Sequence, residues 1–101
     1  MQASITKEAG KAFVKLSGRF DFNTHREFRG VYEPLLADVE TQAVIVDFSA
    51  VDYLDSSALG MLLMLRDKLG GVGKEVALTG VRGNVKQVLD IANFGKLFPI
   101  S

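Results

Sequence analysis

Apolar and polar residues alternate between Ala12 and Ser17: Ala12, Val14 and Leu16 interleave with Phe13, Lys15 and Ser17. A period of two marks a half-buried strand. Ala3 to Lys7 makes a shorter strand ahead of it, and Glu8-Ala9-Gly10 turns the chain between them. Strands this close in sequence pair as an antiparallel hairpin. Gly18 is expected to break the second strand. Further on, Phe28, Val31, Leu35 and Leu36 are spaced as the apolar stripe of a helix, with Asn23 or Thr24 as its cap. Pro34 lies near the end of that helix and predicts a kink or an early break.

Ala43 to Phe48 reads AVIVDF, a nearly all-apolar, β-branched run expected of a strand covered on both faces. A loop, SAVDYLD, leads into a second helix from about Ser56 to Leu69, which Gly70, Gly71 and Gly73 end. Glu75 to Thr79 predicts another strand. A third helix spans about Asn84 to Ala92, with Val85, Val88, Leu89 and Ala92 inward, and Phe94 to Ile100 predicts a last short strand. The order strand, strand, helix, strand, helix, strand, helix, short strand implies an α/β fold. An N-terminal antiparallel hairpin joins parallel strands with right-handed crossovers, and about three helices pack on the mixed sheet.

The length of 101 residues suits one domain, 1–101. Lysine and arginine number 12, as do aspartate and glutamate, so the net charge is zero and nothing draws the chain to nucleic acid or an anionic membrane. There is no cysteine and a single histidine, His25. Disulfides, thiolate metal sites and cysteine nucleophiles are excluded, and no cofactor is implied. MQASITKEAG lacks the order of a secretory signal, and LGMLLML is far too short to span a membrane. A cytoplasmic protein is expected.

The informative stretch is Val51 to Leu65, VDYLDSSALGMLLML. Asp55, Ser56 and Ser57 stand where the first helical N–H groups lack partners. Two readings fit. In one, these side chains simply cap the helix. In the other, Ser56 is a phosphate acceptor. At about 100° per residue, Ala58, Leu62, Leu65 and Leu69 share the stripe facing the sheet, while Ser56, Gly60, Met64 and Asp67 fall opposite. Gly60 lets another backbone come close. Met64 is either an adaptable contact or a scattered surface apolar residue. A phosphate at Ser56 adds about −1.5 to −2 charge. A helix start tolerates that anion, whereas a docked interface is disrupted by it.

Two other chemistries find little support. A serine hydrolase built from Ser56, His25 and Asp55 needs its base within reach of the nucleophile, and no spacing brings His25 there. Gly70-Gly71-Val72-Gly73-Lys74 lacks the Ser/Thr of a phosphate loop and leads from helix to strand, the wrong order. The chain is not expected to be an enzyme.

The run Asp55-Ser56-Ser57-Ala58-Leu59-Gly60 resembles the D-S-[ST]-G-L-G motif of STAS domains, the sulphate transporter and anti-sigma factor antagonist family. AVIVDFSAVDYLD resembles the strand leading to that motif, Ser17-Gly18-Arg19-Phe20-Asp21 the family's G-x-[FL]-D, and NVKQVLDIANFGKLFPI its last helix and strand. The resemblance implies an antagonist that binds an anti-sigma factor, often a serine kinase of histidine-kinase-like fold. Phosphorylation of Ser56 ends the complex, and a serine phosphatase restores the free form. Asp55 and Ser57 then support the phosphosite. Asp21, Asn23, Ala58, Gly60, Met64 and Asp67 are the partner-binding candidates. Ala58 replaces the usual glycine, and the long final helix is missing. The same resemblance also admits a non-phosphorylated accessory subunit of a lipid or anion transporter.

Overall fold

The computed structural model describes residues 1–101. β1 (Gln2–Glu8) and β2 (Lys11–Phe20) form the expected hairpin. Its two-residue turn places Ala9 and Gly10 at φ 51° and 81°, as a tight hairpin loop requires. β3 (Ala43–Leu54) and β4 (Glu75–Thr79) complete a four-stranded sheet in the order β1-β2-β3-β4, antiparallel in the first pair and parallel in the other two. α1 (His25–Ala37), α2 (Ser56–Gly71) and α3 (Gly83–Ile91) supply the helices. The mixed α/β sheet with an N-terminal hairpin is therefore the architecture that the element order implied.

Val14, Val46 and Leu78 lie on one rung of the sheet, and Ala12, Val44 and Val76 on another. This face joins Phe28 and Leu35 of α1, Leu62, Leu65 and Leu69 of α2, and Val85 and Leu89 of α3 in a single core. β3 is not covered on both faces as expected. Val44, Val46 and Phe48 are buried, but Ala43, Ile45 and Asp47 keep access to solvent, and Phe13 beside Ile45 is exposed. The helices bury only the even-numbered positions of this run, so its apolar composition overstates its cover.

Four local expectations change. Gly18 does not end β2. It takes φ 85° beside an irregularity where β3 carries extra residues, and the strand continues to Phe20. A bulge bends a ladder without ending it. The predicted loop SAVDYLD is strand as far as Leu54, because Ser17, Gly18, Arg19 and Phe20 pair with Ala50, Val51, Tyr53 and Leu54. Pro34 does not break α1, which runs on to Ala37. The carbonyl that Pro34 leaves unpaired is that of Gly30, on an exposed face where water can serve it. Phe94 to Ile100 is not a strand. Phe94–Lys96 is a 3-10 turn that buries Phe94 against Phe98, ring centroids 5.5 Å apart, and only Ile100 bridges to Leu78.

Candidate functional site

β3 passes into α2 through one residue, Asp55, since Leu54 is the last of the strand and Ser56 the first of the helix. Asp55 is extended, with φ −107° and ψ 179°. Its Oδ1 accepts the Ala58 N–H at 3.0 Å, the capping bond of α2. Its Oδ2 accepts the Phe22 N–H at 3.2 Å, and its own N–H donates to the Phe20 carbonyl at 3.3 Å. One side chain therefore starts α2 and ties it to the loop after β2.

That loop is a 3-10 turn, Phe22–Thr24, ahead of α1. Asp21 caps it: the Asn23 N–H donates to Asp21 Oδ1 at 3.0 Å, and the Asp21 N–H donates to Thr24 Oγ1 at 3.2 Å. Thr24 stands at the N-cap of α1, one of the two positions expected, but makes no side-chain capping bond to that helix; it closes the reciprocal bond of the Asp21 box and is buried. Arg19 Nε reaches Asp21 Oδ2 at 3.4 Å, and its guanidinium lies over the Tyr53 ring, 4.1 Å from the centroid. The end of the sheet is held by backbone capping bonds and one cation–π contact.

Ser56 is exposed at the first position of α2, and Ser57 is half-buried behind it. Gly60 and Met64 continue the exposed line one and two turns along, with Met64 46% accessible. Asn23 is exposed and Asp21 half-buried on the adjoining turn, so these residues share one surface with Ser56. Ala58 does not belong to it. Its side chain is 0% accessible and packs in the core, as its place in the α2 stripe requires, so it offers a partner nothing to touch. Asp67 lies 11 residues beyond Ser56, about 16 Å along the axis at the rise of an α-helix, and belongs to the far end of α2.

Phe22 went unnoticed in the sequence. It is 73% exposed, between Asp21 and Asn23. The even-numbered alternation of β2 leads inward to Phe20, and continued extension would bury Phe22 too. The Asp21 cap turns the chain instead and holds the ring outside. The local signal was the Asp-Phe-Asn-Thr run itself, a capping sequence with an aromatic inside it.

The hairpin-first mixed sheet with its three helices is the architecture of a STAS domain: the anti-sigma-factor antagonist (STAS) domain protein of Planctomyces limnophilus superposes with a TM-score of 0.83 at 16% identity, covering 98% of this chain and 87% of that one. The family model described as "Mlab, STAS domain" matches residues 3–99, and the chain belongs to this family. It is 43% identical over 88 residues to the STAS-domain containing protein PA14_20770 of Pseudomonas aeruginosa, covering 87% of this chain and 85% of that one. It is 25% identical over 100 residues to the anti-sigma F factor antagonist of Paenibacillus polymyxa, covering 99% and 86%. The Bacillus cell fate determinant SpoIIAA, solved in its phosphorylated form, superposes with a TM-score of 0.75 at 16% identity, covering 99% of this chain and 91% of that one.

Proposed function

We propose that this protein is an anti-sigma factor antagonist whose binding is switched off by phosphorylation of Ser56. The observation that carries this reading is a solvent-exposed serine at the first position of α2, beside a capping carboxylate. The unmodified surface is formed by Ser56, Gly60 and Met64 with the Asp21–Asn23 turn. It docks an anti-sigma factor or related regulator with serine kinase activity and a histidine-kinase-like fold. Phe22 and Met64 give that surface two accessible apolar side chains. Asp55 and Ser57 support the acceptor. A phosphate placed there meets the positive end of α2, so the domain keeps its fold. Inside the interface the same dianion meets a desolvation cost and nearby carboxylates, and the partner leaves. A serine phosphatase reverses the change. The family match and the anti-sigma F factor antagonist relative support this reading.

Incubation with the anti-sigma kinase and ATP is expected to add one phosphate, mapped to Ser56 by mass spectrometry. The phosphorylated form should bind about a hundredfold more weakly, the equivalent of about 3 kcal/mol. Equal labelling of a Ser56→Ala protein would refute the assignment.

A further inference from the structure

At the pole away from Ser56, a groove of about 710 Å³ reaches from the start of the sheet, at Lys11, Ala43 and Glu75, to the outer edge of β4. Its walls are Arg66 and Gly70 of α2, Leu97 and Pro99 of the tail, and Ile45 and Ala77 of the sheet. Val76 lies on its floor. The Glu75 N–H donates inward to Gln42, so the alternate residues Val76 and Leu78 direct their backbone groups outward. At Leu78 the chain satisfies both: the Leu78 N–H donates to Pro99 and the Ser101 N–H donates to Leu78, at 2.9 and 3.0 Å.

The ladder stops there for two reasons. The next bridge needs the Leu97 carbonyl and the N–H of residue 99. Leu97 is still in the helical region at φ −107° and ψ −28°, and its carbonyl is turned to Arg66 Nε at 3.0 Å. Pro99 has no N–H to give. Val76 is left with a donor and an acceptor that no protein group meets, at the base of a groove with mixed apolar and charged walls. Those two groups at strand spacing match an extended peptide backbone.

We propose that this edge binds an extended peptide segment of a partner protein, added as a short strand beside Val76. Its central side chain is apolar, because it enters the space between Leu97 and Gly70. Its neighbour is acidic. Of the basic residues lining the groove, Arg66 stands at this edge and reaches Asp67 only at 3.8 Å, Lys74 is held by the Leu35 and Asp38 carbonyls, and Lys11, two strands in, makes no ion pair; Asp67 and Glu75 are the two carboxylates, so the lining is net positive. The site is independent of Ser56, so one domain can hold two partners.

The test is panning of a random heptapeptide phage library on the intact protein, followed by synthesis of the enriched peptides. Gly70 has nothing within 4 Å of where a Cβ would stand, so Gly70→Phe fills the groove without crowding the core. Enriched peptides should pair an apolar with an acidic residue and bind Gly70→Phe at least tenfold more weakly. They should bind Ser56→Asp as they bind wild type. Their binding should shift the Val76 amide signal and slow its hydrogen exchange, and N-methylation of their central amide should abolish it. Leu97→Asp, at an exposed wall, serves as the second variant should Gly70→Phe prove unstable. The proposal is overturned by failure to enrich any peptide, by peptides that need the Ser56 surface, by an unmoved Val76 amide, or by undiminished binding of the N-methylated peptide.

Discussion

Asp55 accepts hydrogen bonds from two elements, through Oδ1 from α2 and through Oδ2 from the turn at Phe22. Asp55→Ala removes the cap and the tie together, with an expected loss of about 1–2 kcal/mol in urea denaturation. Asp55→Asn keeps one acceptor oxygen and should recover part of the loss. A value within error of wild type for Asp55→Ala would show that the junction does not depend on this carboxylate. Asp38 makes a second residue-scale prediction. Bonds from Lys7 at 2.6 Å, from the Thr41 hydroxyl at 2.8 Å and from the Glu40 N–H at 3.1 Å lower its pKa from 3.8 to about 2. The folded pKa lies below the unfolded one, so this stabilisation is complete above the unfolded value. It fades as pH falls from about 4 through about 2. Over that window the urea midpoint of wild type should fall further than that of Asp38→Asn, and parallel curves would exclude the linkage.

At the scale of elements, two glycines separate space from strain. Gly60 lies inside α2 with nothing within 4 Å of its Cβ direction. Gly60→Ala should stabilise by about 0.5–1 kcal/mol through helix propensity. Gly80 follows β4 at φ 68°, where an added Cβ would stand 2.5 Å from Asp47 Oδ1 and 2.7 Å from the Ser49 nitrogen. Gly80→Ala should cost about 2 kcal/mol or more by strain alone. Guanidinium denaturation of the two variants should therefore move in opposite directions. The helices were legible because their stripes repeat: Leu62, Leu65 and Leu69 point to the core as spaced. The second half of β3 was not. Ser49–Leu54 mixes polar and apolar residues without a clean period, because the irregular register with β2 shifts which residues face inward. The tail was misread for a related reason. Phe94 and Phe98 are one helical turn apart, and they stack within a turn instead of alternating along a strand.

At the scale of the whole molecule, the sheet has one buried face, one open face and unequal edges. All seven residues of β1 are exposed, and β1 pairs only with β2, whereas β3 is paired on both sides. Amides of β1 should therefore exchange about tenfold or more faster than those of Val44–Phe48; equal protection would mean that β1 opens only with the global unfolding. The one-residue junction places Ser56 at the end of the sheet beside the Asp21 turn, and the groove at Val76 lies at the other pole. By itself, the sequence determined the element order, the hairpin-first mixed sheet, the buried stripes and the candidate Asp55-Ser56-Ser57 helix start, because each rests on spacing between near neighbours. Only the tertiary structure decided that one sheet face stays open, that Asp55 reaches Phe22, that Ala58 is sealed from partners and that Val76 is left without a strand mate on its outer side. Those outcomes depend on which distant segments compete for the same face or the same hydrogen bond, and no local period encodes that competition.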